Sequence, residues 1–174
     1  TKDEPDGVEH PPAQQATELR MSQELLRRIE PLALAVLANG GIVSSETSAC
    51  VSNPMNIFAF DPRCPKHSNM FMTTVYQRIL QASDGVIICF WQCAFKAESG
   101  KPTEFMMPRF LVPTLGAKLE DAQCAHEGKH KDPLTGKQDG KYKTSKGQRW
   151  PAEFVDVVAA NVCPWRQRII EASN

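Results

Sequence analysis

The stretch AHEGKHKDPLTGKQDGKY, residues 125–142, holds two of the four histidines of the chain, His126 and His130, with Glu127 directly after the first. On a helix, positions four apart share a face, so the two imidazoles can be offered to one zinc ion about 2 Å from each nitrogen. Glu127 then projects beside them, where a carboxylate can take a proton from a water that such an ion acidifies to a pKa of about 7. A catalytic zinc also needs a third protein ligand and an open fourth position. A blander reading competes for the same letters. Gly128 costs about 1 kcal/mol of helix propensity relative to alanine. Lys129, Lys131, Lys137, Lys141, Lys143 and Lys146 crowd one segment, as they would in a solvated loop.

The neighbours of the histidine pair sharpen the comparison. Asp139 follows His130 by nine residues, Tyr142 follows Asp139 by three, and Gly136 precedes it by three; the chain has only two tyrosines. These letters resemble the aspzincin metallopeptidases, to which deuterolysin and the fungal peptidyl-Lys endopeptidases belong. The family pattern is HExxH followed by a GTxDxxYG-like segment. The resemblance covers residues 126–142 and departs from the pattern at Lys137, where the family has threonine, and at Lys143, where it has glycine. It implies a zincin-like fold with His126, His130 and Asp139 as zinc ligands. It also implies Glu127 as general base and Tyr142 as a helper that donates a hydrogen bond to the oxyanion. Two other arrangements stay open: Glu153, 23 residues beyond His130, as third ligand, and a Cys124-His126-His130 metal cluster, against which a disulfide at Cys124 is the stronger reading.

Composition narrows the function classes. Twenty basic and twenty acidic residues cancel in a chain of 174, which argues against nucleic acid or an anionic membrane as partner. Six cysteines without CxxC pairs point to three disulfides in an oxidising compartment. No apolar run approaches the roughly 18 residues of a membrane span. The opening TKDEPDGVEHPP lacks the basic cap and apolar centre of a signal peptide. The expectation is a mature secreted monomer acting on a protein or peptide substrate. The competing expectation is a secreted recognition or effector protein on the same scaffold.

Elements that could position the site follow from periodicity. Residues 1–15 read as a flexible arm and 16–174 as one domain. From Thr17, Leu19, Leu25, Leu26 and Ile29 fall at helical spacing; Pro31 kinks or restarts that helix and Gly40-Gly41 ends it. IFAF, 57–60, is a short strand candidate. Ser68 or Asn69 caps a second helix that stops before Asp84-Gly85. VIICFWQCAF, 86–95, and TEFMMPRFLV, 103–112, form a hairpin, with Pro108 placing the second strand at an edge or a bulge. A third helix runs from about Leu115 to His130 with Leu119 and Ala122 inward and Cys124 as a further inward candidate, residues 131–149 form a polar loop, and Pro151 opens a last helix. Helices on either side of a small, mostly antiparallel sheet make an α+β class, and an extended peptide substrate would add to the edge offered by 103–112.

Overall fold

The computed structural model describes residues 13–52, 61–62, 68–97, 100–125, 137–138, 141–142 and 150–172. Their class is α+β, built around a small antiparallel sheet. The chain forms two compact units: one takes its described residues from 13–87 and 104–109, the other from 88–103 and 110–172. The strand candidate at 57–60 lies outside the described residues.

In the first unit, α1 runs from Ala13 to Ala38, so the helix starts four residues before Thr17. Leu26, Ile29 and Ala33, spaced by three and four, turn one face toward Phe71, Tyr76, Ile79 and Met106. Met21, Leu25 and Leu32 lie exposed. Pro31 stands inside the helix without ending it. The end is made by two glycines. Gly40 takes φ +71°, and the Gly40 and Gly41 amides donate to Leu37 and Val36 carbonyls at 3.0 and 2.8 Å, the paired bonds of a Schellman cap. A Cβ on Gly41 would fall 2.9 Å from the Val36 carbonyl oxygen, so that approach requires glycine.

The second helix, α2, spans Thr74–Ala82, and its cap is Thr73 instead of the expected Ser68 or Asn69. The reason is local: Met70–Met72 form a 3-10 turn, and Thr73 Oγ1 donates to the Met70 carbonyl at 2.7 Å while accepting from the Tyr76 amide. Tyr76 meets Phe71 edge-on at 5.5 Å. Ile79 is wholly buried, a burial that stabilises by about 1.5–3 kcal/mol.

The three-stranded sheet has the order β1-β3-β2, with β1 at Ser45–Ser48, β2 at Gly85–Trp91 and β3 at Pro102–Pro108. Antiparallel register of β2 and β3 is set at both ends: Arg109 N–H donates to Asp84 C=O at 3.0 Å and Gln92 N–H to Lys101 C=O at 3.1 Å. The strand within 103–112 is therefore central, not an edge. Thr103 through Pro108 are all buried, and Pro108 is accommodated as the strand's last residue. With neighbours on both sides, β3 cannot receive a peptide by strand addition.

In the second unit, a 3-10 turn, Gln92–Phe95, follows β2 and ends at Lys96 with φ 63°. A π-helical turn, Val112–Gly116, leads into the four-residue helix α3, Ala117–Glu120. The last helix, α4, runs from Ala152 to Ala172 with Pro164 inside it. Pro151 supplies the carbonyl that accepts from Val155 N–H at 3.1 Å. Phe154 stacks on Phe90 at 5.0 Å and meets Phe95 and Trp150 edge-on at 5.5 and 5.1 Å. Among the described residues no helix is long and apolar enough to cross a membrane.

Candidate functional site

The helix expected to carry both histidines stops early. Leu115 and Leu119 are wholly buried and Ala122 nearly so, which agrees with the inward face read from the sequence, but α3 ends at Glu120. Ala122 N–H reaches back only to Leu119 C=O, at 3.1 Å, and the Ala122 carbonyl accepts from Trp91 N–H at 3.1 Å. A carbonyl committed to the end of β2 draws the chain out of the helix, and Gln123 through Ala125 have no regular structure. His126, Glu127 and His130 lie outside the described residues, and so does Asp139.

Tyr142 is described through its backbone. Lys137–Gln138, here β4, pairs antiparallel with Lys141–Tyr142, β5, in the register Lys137↔Tyr142 and Gln138↔Lys141. The polar loop expected over 131–149 thus contains a short hairpin. Its signal was Asp139-Gly140, a dipeptide strongly favoured between hairpin strands. The ladder holds the residues flanking Asp139 in register and places Tyr142 opposite Lys137.

Glu153, the alternative third ligand, sits in the first turn of α4 and forms an ion pair with Lys96. That pairing gives its carboxylate a task of its own. Asp156 is exposed on the same helix. Among the described residues no group of three or more His, Cys, Asp and Glu side chains could hold a metal ion.

The cysteines require a correction. Cys50, Cys89, Cys93, Cys124 and Cys163 are all thiols, with no described pair at bonding distance; Cys64 lies outside the described residues. Cys163 is exposed on α4, whereas Cys50 is buried with its sulfur 3.6 Å from Met72 Sδ and 3.4 Å from Ser52 Oγ. Burial, then the hydrogen bond and charge of Cys124, push the Cys93 thiol up from 9.0 to about 11.

A polar cluster in the first unit escaped the sequence reading. Glu104, only 7% exposed in β3, accepts from Cys50 N–H at 3.0 Å and from Asn69 Nδ2 at 2.7 Å. Asn69 Nδ2 also donates to Ser48 C=O at 3.1 Å. A single carboxylate between Thr103 and Phe105 in a buried run was the available signal. Each Glu104 oxygen has a donor, so the group ties loop 48–50 and residue 69 to the central strand. An open cleft of about 520 Å³ in the same unit is lined by Thr74, Gln77, Arg78, Gln81, Asp84 and Arg109. Arg109 Nε donates to Asp84 Oδ1 at 3.1 Å there, and the lining contains neither a cysteine nor a histidine. Comparisons with family models, with curated proteins and with solved structures give no match.

Proposed function

We propose that the chain is a secreted zinc-dependent endopeptidase of aspzincin type, with a zincin-like arrangement around the histidine segment. The observation that carries this reading is the spacing of His126, Glu127, His130, Asp139 and Tyr142. Two imidazoles and a carboxylate are a donor set suited to zinc and leave a fourth position open. A zinc ion held there supplies Lewis acidity and lowers the pKa of water to about 7. Glu127 takes the proton of the attacking water and passes it to the leaving amine. Tyr142, held at the hairpin by its pairing with Lys137, donates to the oxyanion. The ion pair between Glu153 and Lys96 favours Asp139 as third ligand. Six lysines between 129 and 146 favour acidic or neutral residues beside the cleaved bond.

The test is zinc content of the purified chain followed by casein hydrolysis with and without a chelator. One zinc per chain and cleavage that stops on chelation and returns with added zinc are expected. Chelator-insensitive cleavage would overturn the zinc mechanism. A second reading, a secreted recognition protein that works by binding a partner, is favoured by the end of α3 at Glu120, ten residues before His130. Zinc-loaded protein that cuts nothing would select it.

A further inference from the structure

We propose that the cleft beside α2 is a binding site for a small oxyanion ligand, a carboxylate or a phosphate monoester, seated on the guanidinium groups of Arg78 and Arg109. This inference is independent of the zinc reading, because every residue it uses belongs to the first unit. Thr74, Gln77, Arg78 and Gln81 follow one another on α2 at three- and four-residue spacing, so they share one face, and all four are exposed. Tyr76 and Ile79 turn the other face to the core. Beyond the helix the lining continues through Asp84, Gly85 and Arg109, where β2 begins and β3 has just ended. The space enclosed, about 520 Å³, is that of a small-molecule site.

Each guanidinium is held by one neighbour and keeps donors to spare. Asp84 takes φ 44°, a left-handed conformation that aspartate tolerates, and grips Arg109 twice: its carbonyl accepts from the Arg109 backbone N–H at 3.0 Å, and its Oδ1 accepts from Nε at 3.1 Å. With Nε committed, both terminal nitrogens of Arg109 keep their N–H groups for a ligand. Arg78 donates from Nη1 to Glu30 Oε1 on α1 at 3.1 Å, which leaves its Nε and Nη2. Among the described residues neither guanidinium has a further partner. Both arginine side chains are 63% exposed, so these pairs contribute little to stability; their effect is to orient two planar forks at one cleft. Such a fork matches the paired oxygens of a carboxylate or phosphate. Arg78 and Arg109 against Asp84 also leave the lining one positive charge. Gln77 Nε2 is tied to the Phe71 carbonyl, so its Oε1 remains an acceptor, and the Gln81 amide adds a donor and an acceptor. A hydroxyl-bearing body behind the oxyanion suits those groups.

The experiment titrates the isotope-labelled full chain with glycerol phosphate and, in a separate arm, with malate, at constant ionic strength, and follows backbone amides and arginine Nε–H groups by NMR. Expected are saturable shifts centred on residues 74–85 and 109, with a Kd of about 1 mM or below; the arm that saturates at the lower concentration identifies the oxyanion as phosphate or carboxylate. Arg109→Lys keeps the charge and loses the fork, so it should weaken binding roughly tenfold or more. Arg78→Gln should weaken it similarly. That variant changes an exposed side chain on α2 and leaves the Asp84–Arg109 tie intact, so it gives the decision should Arg109→Lys not fold. Absence of saturable shifts in both arms up to about 50 mM, shifts centred elsewhere in the chain, or binding unchanged in folded Arg109→Lys or Arg78→Gln would overturn the proposal.

Discussion

Asn69 donates from Nδ2 to Glu104 Oε2 at 2.7 Å, joining residues 35 apart in sequence. The other Glu104 oxygen holds the Cys50 amide at 3.0 Å. Removing the carboxylate takes an acceptor from the buried Cys50 amide and one of two acceptors from the half-buried Asn69 amide nitrogen, at about 1–3 kcal/mol for each bond lost. Glu104→Ala should therefore lower stability by about 2–4 kcal/mol in urea unfolding. Glu104→Gln should fall between wild type and alanine, because its oxygen can still accept while its amide nitrogen opposes that of Asn69.

Alkaline pH should weaken the second unit through Cys93. Its folded thiol is raised from 9.0 to about 11, so the native state keeps a proton that the unfolded chain gives up. The contribution is fully present below about pH 9 and is lost as pH climbs toward 11, on the order of 1–3 kcal/mol. Urea midpoints of the reduced protein measured from pH 7.5 to 10.5 should fall more steeply for wild type than for Cys93→Ser.

Glu127→Gln should retain zinc and fold yet lose nearly all turnover, since the amide cannot take the water's proton. Tyr142→Phe should retain both and lose on the order of 10²-fold, the effect of one oxyanion donor. Peptide-library cleavage mapped by mass spectrometry, with zinc measured in each sample, separates the two roles. Undiminished cleavage by Glu127→Gln would refute the general-base assignment.

Asp139→Ala should lower zinc occupancy, and Glu153→Ala should leave it unchanged. The Glu153–Lys96 pair is partly exposed, at 43% and 80%, so its loss should alter stability by no more than about 1 kcal/mol. Metal analysis of both variants decides the ligand; zinc stripped by Glu153→Ala would reverse the assignment.

Phe154→Ala should cost about 3–5 kcal/mol by leaving a cavity against Phe90 and Phe95. Val155→Ala, at a side chain 44% exposed, should cost far less. Thermal unfolding of the two variants gives the contrast directly.

What could be read in advance was whatever depended on local spacing. Leu26 and Ile29 on α1, the Gly40-Gly41 stop and the apolar run of β2 follow from side-chain period or backbone need. The strand SETS at 45–48 carries no apolar alternation, so β1 was invisible, and with it the central place of β3. The end of α3 depends on Trp91, 31 residues from Ala122, claiming a carbonyl; no window around His126 contains that partner. The hairpin at 137–142 was written in Asp139-Gly140 but hidden among lysines. Three disulfides were expected from an even cysteine count, and among the described residues no cysteine pair stands at bonding distance. Of the candidate site, the residue types and spacing were legible, and from that set the structure describes the backbone of Tyr142.

Both long helices contain an interior proline, Pro31 in α1 and Pro164 in α4. Each lacks the amide that would bond the carbonyl four residues earlier, at Arg27 and at Ala160. A missing rung divides the ladder, so neither helix needs to open as a whole when its backbone exchanges hydrogen with solvent. Residues 32–38 of α1 contain Ala33, buried against α2, and end in the glycine cap. They should exchange more slowly than the exposed first turns, and the boundary in amide protection should fall at the proline. Each long helix would then behave in solution as two cooperative segments of unequal lifetime.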